Sequence, residues 1–211
     1  LKDAASYALL VVSSAALAAC QQTAPDENAS RSVPGNEQDR AFELPDVARP
    51  APPLDRAALL SAVAVAASAE DVAMLAAATA KDEPVNGFPL DQEMRWLVAI
   101  KAVAFGLPNA DELLAIEAAR DRSDRGRRAL LRAEASRPTA AAKAEAWERI
   151  NGEGYGSFHL TRAAMQGFYW PHQQRVLDAY EDRFFDQVRT VFETRDHPFA
   201  RSYLLSLYPA Y

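Results

Sequence analysis

The sequence predicts an all-α protein, and three observations carry that prediction. Glycine is scarce, 8 of 211 residues, in a chain rich in alanine and leucine that is 49% hydrophobic; alanine and leucine lead the helix-propensity order, whereas glycine costs about 1 kcal/mol inside a helix. From Leu54 onward, apolar residues recur at spacings of three and four, the period of one helix face. Runs of alternating β-branched residues, the mark of half-buried strands, are missing. Helices joined by short turns run antiparallel to their neighbours. A series of such pairs stacks as a right-handed α-solenoid of the HEAT or armadillo kind, here of about eight helices, inferred from element rhythm because no exact repeat is present.

The first helix is predicted over about Asp55 to Ala67, with Leu59, Leu60, Val63 and Ala67 on one side. Ser68 caps the second, and Glu70 and Asp71 favour its positive end. After a turn-rich connection, Lys81 to Pro89, Asp91 opens a more amphipathic helix carrying Met94, Leu97, Val98, Lys101 and Val103, halted by Gly106 and Pro108. Asn109 is the predicted cap of a helix to about Arg120 that buries Leu113, Leu114 and Ile116. A polar turn leads to a helix from Arg125 to Ser136, stopped by Pro138. Thr139 caps the next, which carries Trp147 and Ile150 as far as Asn151-Gly152. Gly152, Gly154 and Gly156 form a loop around Tyr155; with no strand before them and the wrong spacing, they make no dinucleotide fingerprint. Ser157 opens a helix through Trp170, and Pro171 takes a first-turn position that proline tolerates. Val176, Leu177, Tyr180, Phe184, Phe185, Val188, Val191 and Phe192 are then expected on one face. Pro198 starts the last helix, with Tyr203, Leu204, Leu207 and Tyr208.

A net charge of −6 with arginines scattered among acids argues against a nucleic-acid groove, which needs a basic stripe to displace counterions. The segment Arg120 to Arg132 is a local exception. Asp111, Asp121 and Asp124 dilute it, so it reads as a solvated helix end. Trp96, Trp147 and Trp170 sit at helical apolar spacing and read as core. His159 lies beside the glycine loop, but no carboxylate near it in sequence would equip it for acid–base work. Asp178, Glu181 and Asp182 alternate with Arg175 and Arg183 at helical ion-pair spacing, which favours exposed pairing over a cation site.

The single cysteine, Cys20, excludes an internal disulfide. Leu17-Ala18-Ala19-Cys20 resembles a bacterial lipobox, whose cysteine thiol receives a diacylglyceryl group, so residues 1–20 are a candidate lipoprotein signal. Residues 21–53 carry six prolines and read as a disordered tether; residues 54–211 form the helical domain. The other reading takes Ala8 to Ala19 as an ordinary apolar helix of a larger protein, in keeping with Leu1 in place of Met and only Lys2 beside Asp3 as a positive end. The lipobox implies the cell envelope; without it the cytoplasm is expected.

Arg162 to Pro209 reads RAAMQGFYWPHQQRVLDAYEDRFFDQVRTVFETRDHPFARSYLLSLYP. Its Gly167-Phe168 pair, proline-led aromatic helix and closing Leu-Tyr-Pro resemble the carboxyl end of the aminopeptidase N family, zinc aminopeptidases with a helical C-terminal domain. Two further stretches are similar to that family: Asp91 to Lys101 (DQEMRWLVAIK), and Ala118 to Arg137 (AARDRSDRGRRALLRAEASR) followed by Pro138, Thr139 and KAEAW at Lys143 to Trp147. Together they cover about Phe88 to Pro209, with Leu54 to Thr79 a weaker continuation. Residues 1–53 do not match.

The resemblance implies an accessory domain and not a whole enzyme. The zinc motif of that family, two histidines four residues apart with a glutamate between them to activate water, is absent. His159, His172 and His197 are each isolated, and the family's Gly-x-Met-Glu-Asn loop is missing too. No catalytic or metal-binding residue is therefore assigned to this chain, and zinc is expected in the family's catalytic domain. What the resemblance implies is a domain that covers the active-site cavity and limits peptide access, with a peptide or that catalytic domain as partner. Arg162, Gln166 and Arg201 are the expected substrate or interdomain contacts, against the plainer reading of solvated helix faces. The alternative is a lipid-anchored envelope protein, attached at Cys20, whose solenoid binds a peptide or protein without cleaving it. No nucleic-acid partner is expected.

Overall fold

The structure is a computed structural model and describes residues 56–209. Cys20, the signal-like segment and the tether lie outside the described residues. The chain divides into two compact units, Leu1–Ala62 and Val63–Tyr211. Of the first, only the opening turns of helix α1 (Arg56–Val65) are described. The second holds α2 (Ala69–Ala80), α3 (Gln92–Ala104), α4 (Ala110–Arg120), α5 (Asp124–Ala135), α6 (Ala140–Asn151) and α7 (Phe158–Phe168). Next come a one-turn helix α8 (Gln174–Leu177) between two 3-10 turns, α9 (Glu181–Thr194) and α10 (His197–Leu207). The fold is all-α, as predicted. Among the described residues, nine α-helices have ten or more residues, and a lone antiparallel bridge, Val85 to Phe88, is the sole β feature.

Side-chain caps set most of the helix starts. Ser68, Asp91, Ser123, Thr139, Ser157 and Asp196 each hold extended backbone and accept from the N–H three residues on. Asn109 departs from expectation: its φ of −97° and ψ of 9° keep the side chain from capping, and Asp111 and Glu112 supply negative charge to the first turn of α4 instead. The helix predicted to reach Trp170 ends at Phe168. Tyr169 and Trp170 are extended, as the clash of a proline ring with the preceding residue demands before Pro171. The face predicted from Val176 to Phe192 is narrower than expected. Leu177, Tyr180, Phe184 and Val191 keep one helical phase across the 3-10 turns around α8 and are buried, while Phe185 and Phe192, one residue and about 100° off that stripe, stay about half exposed, at 52% and 48%.

In the second unit, α3 lies on α5, α5 on α7, and α7, past α8 and α9, on α10, forming one layer of a solenoid-like stack. The α5–α7 contact is the tightest. A Cβ on Gly167 would stand 2.1 Å from the Arg132 carbonyl oxygen, so only glycine permits this approach. Trp147, Phe168, Tyr180, Phe184 and Tyr203 form the aromatic centre of the core, with ring centroids 5.1–6.3 Å apart. Trp96 and Trp147 are buried as predicted, and Trp170 is half-buried and donates to the Gly167 carbonyl.

The C-terminal ends of the layered helices meet along one edge, where unsatisfied carbonyls and negative dipole ends would otherwise accumulate. Buried side chains cap them. Lys101 Nζ donates to Ala64 and Ala66 at 2.8 and 2.5 Å, and Gln173 Nε2 bridges Ala104 and Ser136 at 2.7 and 2.8 Å. Lys143 Nζ bridges Ala135 and Phe168, the last residues of α5 and α7, at 2.8 and 2.5 Å. Burial pushes Lys143 down to about 7 and lowers Lys101 as well, where the Arg132 charge adds to the effect.

Candidate functional site

With the C-terminal ends of α3, α5 and α7 tied along that edge, these helices and α10 present the same register on the exposed side of their layer. Their N-caps are Asp91, Ser123, Ser157 and Asp196, spaced 32, 34 and 39 residues apart. Positions two, five, six and nine after the cap fall on one helical face. On α3 these are Glu93, Trp96, Leu97 and Ile100; on α5, Arg125, Arg128, Ala129 and Arg132; on α7, His159, Arg162, Ala163 and Gln166. All twelve line one open groove of about 490 Å³. A second groove, of about 450 Å³, continues onto α10, where Pro198, Arg201, Ser202 and Leu205 hold the same positions. Arg162 and Gln166 line both grooves, so the structure brings the three expected contact residues, Arg162, Gln166 and Arg201, onto one continuous face.

The charge of this face opposes that of the chain. Five arginines, 125, 128, 132, 162 and 201, meet one carboxylate, Glu93, which pairs with Arg125 at 3.3 Å. Arg128, Arg162 and Arg201 form no ion pair or hydrogen bond with any described residue. Arg132 is half-buried; its Nε is shielded from solvent without a hydrogen-bond partner, and burial lowers its affinity for the proton. The N-terminal turns of α5 and α7 add their positive dipole ends.

A buried aspartate positions this cluster. Asp121 accepts from Trp96 Nε1 at 2.9 Å, Ser123 Oγ at 2.6 Å and Ser123 N at 3.1 Å. The Ser123 hydroxyl, and then Trp96, hold its carboxyl below the usual range against the opposing effect of burial. The turn into α5 is thereby tied to α3. Gly126 permits the close fit, since a Cβ there would meet the Asp121 carbonyl oxygen at 2.1 Å. Arg125, Arg128 and Arg132 follow in helical register toward the groove.

The Arg120–Arg132 segment was expected to be a solvated helix end, and the structure divides it. The three diluting aspartates are engaged elsewhere: Asp111 with Arg137 at 2.7 Å, Asp121 with Trp96, and Asp124 with Arg127. Arg125, Arg128 and Arg132 face the groove, while Arg120 pairs with Glu117 and Arg122 is exposed outside its lining. The signal was present in the sequence as the recurrence of a basic residue five positions after the cap: Arg128, Arg162 and Arg201, where α3 has Trp96.

The histidines do not converge. His172 stacks on Phe105 at 3.9 Å and hydrogen-bonds the Ala104 carbonyl, an architectural role, while His159 and His197 lie in different grooves. Among the described residues, no three His, Cys, Asp or Glu side chains cluster so as to hold a metal. The ion pairs expected around Asp178, Glu181 and Asp182 do not form within 4 Å; Arg183 lies over the Tyr180 ring at 5.2 Å instead, a cation–π contact. No described helix is long and apolar enough to cross a membrane.

The family model described as the ERAP1-like C-terminal domain matches residues 47–211. An aminopeptidase N of Streptomyces lividans is 33% identical over 147 residues, which is 70% of this chain and 17% of that protein. The chain thus spans a minor part of the relative it matches.

Proposed function

This chain belongs to the ERAP1-like C-terminal domain family, and we propose that it is the helical accessory domain of a zinc aminopeptidase, covering the cavity in which peptides lose their N-terminal residues. The observation that carries this reading is the exposed face of α3, α5, α7 and α10, where Arg128, Arg162 and Arg201 have no ion pair or hydrogen bond among the described residues. Such a face suits a peptide enclosed between this domain and a catalytic one: arginine donors hold backbone or side-chain oxygens, and closure over the groove excludes water and limits peptide length. Zinc supplies Lewis-acid activation of water when it is bound, and its ligands belong to the catalytic domain. The described histidines and carboxylates of this chain offer no fitting ligand set. Arg162, Gln166 and Arg201 are the proposed contacts.

The test is reconstitution. The catalytic portion of the Streptomyces enzyme, produced without its matching segment, is mixed with this chain, and association is measured together with amino-acid release from peptides of graded length. Binding with a changed length dependence is expected. No association and an unchanged length profile would sink the reading.

A second reading rests on Leu17 to Cys20: residues 1–20 as a lipoprotein signal and 21–53 as a tether presenting a non-catalytic binding domain, 54–211, at the cell envelope. Incorporation of labelled palmitate that is lost in Cys20→Ser would favour it; no incorporation in a bacterial host would remove it.

A further inference from the structure

We infer that the groove across α3, α5 and α7 selects peptides bearing two acidic side chains two positions apart, held by Arg128 and Arg162. The inference rests on the reading of this face as peptide-facing and adds its specificity. Three independent features point to carboxylates. The chain carries a net charge of −6, yet this face gathers five arginines against one glutamate, so its sign is not inherited from composition. Arg128 and Arg162 form no ion pair or hydrogen bond with any described residue, as Arg122, Arg175 and Arg189 also do not, but these two stand on the groove, whereas Arg95 and Arg120 are held by Glu117 and Arg137 by Asp111 and Glu134. Arg132, on the same groove wall, keeps a solvent-shielded Nε without an acceptor, a donor that a ligand oxygen would satisfy.

Spacing narrows the ligand. Arg128 and Arg162 occupy equivalent positions on adjacent helices, and packed helices lie about 8–10 Å apart. In an extended peptide, side chains two residues apart share a face and lie about 7 Å apart, within the reach of two long, flexible arginines. Two carboxylates at that interval match two guanidiniums, each able to take a bidentate pair. Nucleic acid fits less well: Trp96, the groove's tryptophan, is buried and offers no stacking platform, and Glu93 places a carboxylate where a phosphate backbone would run.

The test uses the full chain and fluorescent decapeptides, N-acetylated and C-terminally amidated so that only side chains carry charge. One peptide has two glutamates two positions apart, and its counterpart has glutamines there. Fluorescence anisotropy at low salt is expected to show about tenfold tighter binding of the glutamate peptide, as a charge-assisted pair gives. That preference falls away in Arg128→Gln and in Arg162→Gln, each still folded by circular dichroism, and persists in Arg175→Gln, on the far side of Pro171. Equal binding of the two peptides overturns the acid selectivity and leaves the peptide-facing reading standing; no binding of either removes both. Tighter binding of a single-stranded RNA decamer than of the acidic peptide also overturns the inference.

Discussion

Arginine does two different jobs on opposite sides of α3. On the side toward α4, Arg95 Nε donates to both oxygens of Glu117, at 3.1 and 3.2 Å, its Nη1 donates to the Leu90 carbonyl at 2.8 Å, and Arg120 adds a second guanidinium to the same carboxylate. Glu117 is fully buried and the Arg95 side chain is 20% exposed. On the side toward α5 and α7, Arg128 and Arg162 stand exposed and unpaired among the described residues. The first group is architecture, because a buried charge without its partner is costly. The second contributes little to holding the helices together, and its donors are free for a ligand. Residue type alone does not separate the two; the location of the carboxylates does.

The sharpest way to break this contrast is to remove the buried partner. Glu117→Ala strands two guanidiniums at the α3–α4 seam and is expected to destabilise the fold by about 3 kcal/mol, read by chemical denaturation. A change below about 0.5 kcal/mol, the range of ordinary surface substitutions, would erase the distinction. Next in size is Gly167→Ala, whose Cβ must displace the Arg132 carbonyl. It should cost about 1–3 kcal/mol and loosen the α5–α7 contact that aligns Arg132 with Arg162, so both stability and peptide selectivity should fall in one variant.

The pH dependence comes third. Lys143 sits at about 7 in the fold and 10.5 as its ordinary value, so the unfolded chain holds this proton more tightly. Stability contributed by the neutral amine is complete above about 10.5 and is lost as pH falls toward 7, which means unfolding free energy should rise with pH across that window. Lys143→Met should flatten the rise. A flat profile in the unsubstituted chain would show that the carbonyls of Ala135 and Phe168 and the Phe168 ring, 5.2 Å away, hold the ammonium against burial. Smallest in stability is Arg162→Gln, expected within about 0.5 kcal/mol because nothing in the described fold leans on that side chain. Peptide discrimination is where its effect should appear.

Helix starts were legible where a capping side chain was read as such: Ser68, Asp91, Thr139 and Ser157 start helices as expected, while Ser123 and Asp196 cap helices whose starts were placed at Arg125 and Pro198. The expected face through Phe185 and Phe192 was drawn too wide: both lie about 100° from Phe184 and Val191, and only the stripe of Leu177, Tyr180, Phe184 and Val191 packs on the core. Arg122, Arg125, Arg127 and Arg128 are solvent-exposed, as expected of a solvated helix end; the sequence did not show that Asp121 turns inward to Trp96 and that Asp111 reaches Arg137 from another helix, while Asp124 stays with Arg127. Tertiary pairing decides which charges cancel. The buried lysines were likewise hidden, because Lys101 and Lys143 find their carbonyl partners at helix ends distant in sequence, Ala64 and Phe168 among them.

The central claim is that the arginines facing the groove serve a ligand and not the fold. One measurement tests it most directly: the unfolding free energy of Arg128→Gln/Arg162→Gln, taken on the same sample as its glutamate-over-glutamine peptide preference. The account predicts stability within about 1 kcal/mol of the unsubstituted chain, two surface changes adding, and a preference reduced to parity. A destabilised double variant, or a stable one that still prefers the acidic peptide, would contradict it.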